Sequence, residues 1–254
     1  MDIFIIIGLF IVGLIFGSFY LVVATRLPVG EKIGTSRSHC EYCKKELKWY
    51  ELIPLFSYII QLGKCRKCNK KLSIIYPATE LITGVLFSTS FILYKFEYQF
   101  FISIILFSLL ILIYISDFKY FIILDSPLVI SAIGIFITYL VFFNINEALI
   151  RLVYGLFIFM FLLIIKLIGD KLFKRESLGG GDIKLGFIVG MSLGIPLGCT
   201  SLILSSFLAL PYAITTIYYD EGREVPFGPF IISATIIIFL FMAKFNNLID
   251  FLLF

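Results

Sequence analysis

Long apolar runs separated by short polar stretches dominate this chain. A membrane-spanning helix needs about 17 to 25 largely apolar residues, because it must cross roughly 30 Å of hydrocarbon. Eight runs meet or approach this length: 3–24, 76–94, 99–116, 126–143, 148–168, 183–197, 199–218 and 228–247. The sixth run is short and glycine-rich, and Pro196 is interpreted as its end. The pattern predicts an all-α polytopic membrane protein with about eight transmembrane helices.

The first apolar run is interpreted as a retained transmembrane helix. It is too long for the core of a secretory signal peptide, and it has neither a basic start nor a clear cleavage site of small residues. Gly13 and Gly17 form a small-xxx-small pair within it, which would allow a second helix to pack closely. The predicted domains are a first transmembrane helix at 1–25, a polar loop at 26–75 and a seven-helix membrane domain at 76–254.

Composition strengthens the membrane assignment. The chain is 60% hydrophobic and 15% charged, with a mean hydropathy of +1.05, whereas soluble domains are about half apolar and a quarter charged. Membrane lipid is therefore the expected surroundings. The net charge of +4 is modest, and no nucleic-acid partner is expected.

The distribution of positive charge predicts the orientation in the membrane. About half of the 21 lysine and arginine residues lie between residues 26 and 71. Because cytoplasmic loops carry an excess of these residues, this loop is expected in the cytoplasm and the N-terminus outside. Alternating from there, loops 117–125, 169–182 and 219–227 are also expected inside, and the even number of helices returns the C-terminus to the outside.

Two pairs of cysteines mark the polar loop, CEYC at 40–43 and CRKC at 65–68. Two such CxxC pairs at this separation are typical of a tetrahedral zinc site, and four thiolates leave no open position for water. The sequence therefore predicts a structural zinc ion in the cytoplasmic loop. The alternative is a pair of disulfides, which a reducing compartment disfavours. The four expected ligands are Cys40, Cys43, Cys65 and Cys68.

Two aspartates lie at the same predicted membrane boundary. Asp117 ends the third run, and Asp182 opens the sixth. If the two carboxylates approach within a few ångströms, one keeps a proton while the other ionises. Such a pair can deprotonate a water for attack on a peptide carbonyl and protonate the departing amine. Asp182 alone is also compatible with a helix N-cap, and Asp125 is interpreted as the cap of the following helix.

Three consecutive glycines precede Asp182. Gly179, Gly180 and Gly181 have no Cβ atoms, so another backbone can approach them closely and unusual dihedral angles are allowed. A peptide substrate must be extended to be cut. The glycines are therefore predicted to bind substrate, pairing with it in the manner of a strand.

At this point several motifs resemble one family, the bacterial prepilin peptidases, or type IV leader peptidases, which are aspartic proteases of the GxGD type. The similarity runs along nearly the whole chain. The matching segments are GSFYLVVATRLP at 17–28, RSHCEYCKKELKWYELIPLFSYIIQLGKCRKC at 37–68, YPATELITG at 76–84, GGGDIKLG at 179–186 and VPFGPF at 225–230.

The resemblance implies a multi-pass enzyme of the bacterial cytoplasmic membrane that acts in two steps. It would cut the basic leader from type IV prepilins or pseudopilins, which serve pili and protein secretion, at the cytoplasmic face. It would then methylate the new N-terminal amine with S-adenosylmethionine. The family's catalytic aspartates correspond to Asp117 and Asp182. The chain departs from the family pattern at Leu124, where proline is usual.

A transporter that uses paired acids for ion coupling is the alternative function. Transporter sites lie near the middle of the bilayer, whereas both aspartates are predicted at one face. No internal repeat was recognised in the sequence. The peptidase is therefore the favoured interpretation.

Overall fold

The computed structural model describes residues 2–33, 38–40, 42–174, 176–219, 225–242 and 244–245. Within these ranges the chain forms helices, short 3₁₀ turns and isolated bridges, but no extended strand. The helices are α1 (Asp2–Arg26), α2 (Phe56–Ile60), α3 (Ile75–Tyr94), α4 (Tyr98–Tyr120), α5 (Asp125–Phe142), α6 (Ile145–Phe173), α7 (Gly180–Leu193), α8 (Ile195–Tyr219) and α9 (Gly228–Leu240). The predicted all-α class is confirmed.

Each of the eight apolar runs contains a helix, but the helices differ in length. Six helices among the described residues are long and apolar enough to cross a membrane. Helices α7 and α9 have 14 and 13 residues, fewer than a full crossing requires. The eight predicted spans are thus an approximation.

The boundary after the sixth run differs from its prediction. Helix α7 ends at Leu193, and Gly194 turns the chain at φ +80°, a conformation that glycine adopts without a Cβ clash. Helix α8 begins at once with Ile195. Pro196 therefore lies in the first turn of α8, where proline is well tolerated, and does not end the preceding run.

The chain forms two compact units that divide between Lys95 and Phe96. Helix α3 thus belongs with α1, whereas the sequence-based division assigns it to the membrane domain. In this first unit the predicted close helix packing is present. A Cβ atom on Gly13 would lie 2.7 Å from the Gly84 Cα, and one on Gly17 would lie 2.8 Å from the Glu80 Cα. The two glycines therefore allow α1 and α3 to touch backbone to backbone.

In the second unit, the short helix α7 is the most completely buried element. From Leu185 to Leu193 its residues are almost all inaccessible to solvent, and it packs on α5, α6, α8 and α9. Its contact with α6 is close because Gly155 on α6 leaves room for Met191, whose Cγ would lie 2.8 Å from a Cβ there. This packing holds the start of α7, and with it Asp182, in a fixed position.

Candidate active site

Asp117 and Asp182 lie in the same cleft of the second unit. Asp117 is near the end of α4 and Asp182 is in the first turn of α7, and their exposed fractions are 6% and 8%. Both line one open cleft with a volume of about 620 Å³. They are close enough for their charges to interact. Two acids from helices far apart in the sequence are thus brought together, as the dyad hypothesis requires.

The first turn of α7 fixes Asp182. The N-cap position belongs to Gly179, and the Asp182 carboxylate accepts a hydrogen bond from the Gly179 backbone N–H. Asp182 is therefore the third residue of the helix rather than its N-cap. Its side chain bonds back to the N–H of the N-cap residue, as acidic residues at the third helical position often do. Its Oδ1 atom is buried and has no hydrogen-bond partner among the described residues, so it has free acceptor capacity in the cleft.

The first turn of α9 contributes to the environment of Asp117. The backbone N–H of Gly228 hydrogen-bonds with the Asp117 carboxylate. A Cβ atom on Gly228 would lie 3.0 Å from the Asp117 Oδ2. A helix N-terminus favours negative charge, so α9 stabilises an ionised Asp117. Reasoning from the residues did not identify Gly228, although the resemblance includes its motif, VPFGPF.

The Ile123 side chain forms an apolar part of the cleft wall between Gly181 and Gly228. A Cβ atom on Gly181 would lie 2.8 Å from the Ile123 Cβ, and one on Gly228 would lie 2.6 Å from its Cδ1. Both glycines are thus needed to make room for this side chain. Such an apolar contact beside the two acids limits their hydration. No sequence pattern singled out Ile123.

The three glycines have different surroundings. Gly179 is extended, with φ −65° and ψ 142°, whereas Gly180 and Gly181 already belong to α7. The predicted strand-like pairing is therefore open only to the chain up to Gly179, and none of the three glycines uses the positive φ that glycine allows. A Cβ atom on Gly180 would meet nothing within 4 Å, whereas one on Gly179 would lie 3.0 Å from the Asp182 Oδ2.

The chain before the glycines is tied to α6. The Lys166 Nζ donates to the Glu176 Oε1 and to the Leu178 carbonyl, each at 2.6 Å. The Asp170 Oδ1 accepts from the Ser177 backbone N–H at 2.6 Å and from its hydroxyl at 2.8 Å. These bonds fix the strip of backbone that leads into the cleft. Sequence reasoning missed this network, because the paired residues are separated by a loop whose path it could not predict.

Asp125 and Lys184 form an ion pair that the sequence did not indicate. The Lys184 Nζ lies 2.6 Å from the Asp125 Oδ1. Asp125 was interpreted as a helix cap, but the N-cap position of α5 belongs to Leu124, without a side-chain cap bond. The pair instead links the starts of α5 and α7.

The four cysteines of the polar loop lie together in the first unit. The Cys40 and Cys68 sulfurs are 3.9 Å apart, as are those of Cys43 and Cys65. All four sulfurs lie within 4.8 Å of one another. Four sulfurs around a zinc ion, each at about 2.3 Å, are about 3.8 Å apart, whereas a disulfide requires about 2.05 Å. The cluster could hold a metal ion.

The two cysteine pairs lie in two separate backbone turns that have the same hydrogen-bond pattern. The Cys40 N–H donates to the Lys45 carbonyl, and the Cys65 N–H donates to the Lys70 carbonyl, so the two turns share one bonding pattern 25 residues apart. The backbone N–H groups of Cys68 and Lys67 lower the pKa of the Cys65 thiol to about 6. Burial and the neighbouring thiols raise the pKa of Cys68 to about 11, so the hydrogen-bonded cluster favours a thiolate at Cys65 and a thiol at Cys68. The structure thus shows a short internal repeat that the sequence reading did not recognise.

Comparisons with known proteins identify relatives of this chain along most of its length. Residues 11–94 match the bacterial peptidase A24 N-terminal domain, and residues 104–214 match the type IV leader peptidase family. The chain is 32% identical to a prepilin leader peptidase/N-methyltransferase of Bacillus subtilis, over 92% of this chain and 93% of that protein. It is 30% identical to one of Vibrio cholerae, over 90% and 94% of the two chains. No solved structure matches.

Proposed function

The chain belongs to the type IV leader peptidase family, and we propose that it is a membrane-embedded aspartic endopeptidase for type IV prepilin-like proteins. Its relatives are named prepilin leader peptidase/N-methyltransferase. The observation that carries the proposal is the meeting of two buried carboxylates, Asp117 and Asp182, in one cleft. Burying two carboxylates beside each other is costly even when each accepts a backbone hydrogen bond, so a function that uses both acids explains their presence.

In the proposed reaction, the two carboxylates share the work of acid and base. Asp117, which accepts a hydrogen bond from the Gly228 N–H at the start of α9, is ionised and takes a proton from a water molecule. Asp182 is protonated and polarises the scissile carbonyl, then donates its proton to the departing amine. The water oxygen forms the new bond to the carbonyl carbon, and the C–N bond breaks. A proton then returns from Asp117 to Asp182, directly or through water, which restores the starting state for the next cycle.

The cleft suits an extended peptide whose cleavage site lies at the membrane surface. A leader outside the bilayer would approach along residues 176–179, which are fixed by α6, and the apolar helix of the prepilin would remain in lipid. The excess of lysine and arginine in loop 26–75 supports a cytoplasmic position for the site in the inner membrane. Gly180, which has open space above it, would let the substrate backbone approach the acids.

Methylation of the new N-terminal amine is proposed from the names of the relatives. S-adenosylmethionine would supply the methyl group. The described residues form no strand, and so no glycine-rich turn between a strand and a helix of the kind that binds nucleotides. We assign no residue to this group.

A zinc ion held by Cys40, Cys43, Cys65 and Cys68 is proposed as a structural part of the loop. The spacing of the sulfurs fits four thiolate ligands. Four ligands complete the shell of the ion, so its chemistry would be to stabilise the fold of the loop rather than to activate water.

Incubation of the detergent-solubilised protein with a prepilin tests the function directly. Mass spectrometry should find the mature protein, shortened by its leader, and a methylated N-terminus when S-adenosylmethionine is added. The same prepilin in detergent alone is the control. An intact prepilin after prolonged incubation, with the enzyme still folded, would favour the transporter instead.

A further inference from the structure

Residues 52–62 form an apolar segment inside the otherwise polar loop, and this segment is exposed. Phe56, Ile59, Ile60 and Leu62 have exposed fractions of 63%, 65%, 68% and 83%. A run of this length is too short to cross a membrane and is expected either in a protein core or at a membrane interface. Because these side chains are not buried by the protein, the first of these explanations does not apply.

The segment has one apolar face and one attached face. Phe56, Ile59 and Ile60 lie three and four residues apart along α2, so they share one side of the helix. Tyr58 lies on another side, where its hydroxyl donates to the Leu72 carbonyl at 3.4 Å. The cysteine loop is thus held on one side of α2, and the apolar side chains point away from it.

A buried carboxylate anchors the segment to a membrane-spanning helix. The Leu55 backbone N–H donates to the Glu80 Oε2 at 2.8 Å, and the Ser18 side chain of α1 also hydrogen-bonds Glu80. Glu80 is 7% exposed and lies in the second turn of α3, more than one helical pitch of about 5.4 Å from its start. The segment is therefore tied to the second turn of α3 through its first residues.

The Leu55 backbone needs this anchor. Leu55 has φ +60°, a conformation that costs a non-glycine residue energy. In hydrocarbon, an N–H group outside regular structure must find a partner in the protein. The Glu80 carboxylate supplies that partner and keeps the turn before α2 in place.

Residues at the ends of the segment match a lipid headgroup region. Exposed Lys48 precedes it and exposed Lys64 follows it, and lysines at such positions reach anionic headgroups. Trp49 is 77% exposed, and tryptophan is enriched at membrane interfaces. The lysines and Trp49 therefore suit the headgroup region, and the apolar residues between them suit the acyl chains beneath it.

We propose that residues 52–62 lie in the membrane interface, with Phe56, Ile59 and Ile60 in the acyl chains of an anionic bilayer and Glu80 as the anchor of the segment. The segment would hold the cysteine loop at the lipid surface. This inference concerns the first unit alone and does not depend on the peptidase activity.

Fluorescence of the full-length protein tests the proposal, because Trp49 is its single tryptophan. The protein is reconstituted in vesicles of phosphatidylglycerol and phosphatidylcholine, with or without brominated acyl chains. The reporter variant combines Trp49→Phe with Ile60→Trp. The matched control combines Trp49→Phe with Tyr42→Trp, in the first cysteine turn, where Tyr42 is 55% exposed. Wild-type Trp49 serves as a reporter that needs no substitution.

The expected result is several-fold stronger quenching of the Ile60→Trp reporter by brominated lipid than of the Tyr42→Trp control. Aqueous acrylamide should quench the control more strongly. Equal acrylamide quenching of both would mean that the segment is in water, and protection from both quenchers would mean that protein covers it. Either result overturns the proposal.

The anchor is tested with the same reporter. Glu80→Leu removes the acceptor of the Leu55 N–H, so lipid quenching should fall. Glu80→Gln retains an acceptor oxygen and should preserve most of it. Gel filtration identifies any variant that fails to fold. Unchanged quenching in a folded Glu80→Leu protein would show that Glu80 does not anchor the segment.

Discussion

Alanine substitution at Gly180 separates a substrate-binding role of the glycines from a role in packing. Gly181 is adjacent to Asp182 in the sequence, so it is the first position to consider for this substitution. In the structure, however, a methyl group on Gly181 would lie 2.8 Å from the Ile123 Cβ, whereas one on Gly180 would meet nothing within 4 Å. Only Gly180→Ala places a methyl group in the cleft without disturbing the protein itself.

The structure sets the size of the expected effects. Gly180 is the first residue of α7 and has no positive φ, so alanine there should leave stability unchanged or raise it by about 0.4–1 kcal/mol. Gly181→Ala overfills a packed contact and should lower stability by about 1–3 kcal/mol. If substrate backbone lies against Gly180, the methyl group should reduce kcat/KM at least about tenfold, which corresponds to about 1.4 kcal/mol of transition-state stabilisation.

The assay is prepilin cleavage by each purified variant, together with thermal stability in the same detergent. Gly8→Ala is the matched control, because a Cβ atom on Gly8 of α1 also meets nothing within 4 Å, and it should cleave at the wild-type rate. Cleavage by Gly180→Ala at that same rate would refute the substrate platform. A loss of activity in Gly181→Ala alone would then be a packing effect.

Three further predictions concern the loop, the topology and the cleft. The protein should bind about one zinc ion per chain by metal analysis, and Cys68→Ser should lose it and make the loop protease-sensitive; a zinc-free protein with a protease-resistant loop would contradict the site. Reporter fusions after Lys71 and at Glu176 should both read cytoplasmic, and opposite readings would exclude the proposed topology. Lys166→Met should slow cleavage and lower the free energy of unfolding by about 1–3 kcal/mol, because it leaves the Leu178 carbonyl without its donor. Full activity would show that residues 176–179 do not need the hydrogen bond from Lys166.

The helices and the cysteine cluster could be anticipated because each depends on a local pattern. An apolar run determines a membrane helix almost by itself, since no other structure satisfies the backbone in lipid. The pair Gly13 and Gly17 likewise indicated close packing, which is present against Gly84 and Glu80. The spacing of the paired cysteines alone predicted the cluster of four sulfurs, which could hold a metal ion.

Long-range contacts could not be anticipated in the same way. The ties from Lys166 to Leu178 and from Asp170 to Ser177 depend on the path of a loop. Placing Ile123 against Gly181 requires the packing of three helices. The boundary at Gly194 was missed because one apolar run continued through a sharp turn. Local sequence patterns thus pointed to Asp117 and Asp182, whereas the residues that contact them could be identified only from the fold.

The central claim is that Asp117 and Asp182 perform the cleavage together, and substitution of each by asparagine measures it most directly. Asn has almost the same shape and still caps helix termini, so both variants should insert and fold. Asp2→Asn, at an exposed acid paired with Lys95, is the matched control and should cleave the prepilin normally. The account predicts that Asp117→Asn and Asp182→Asn each reduce cleavage to the background level, and cleavage near the wild-type rate by either folded variant would contradict it.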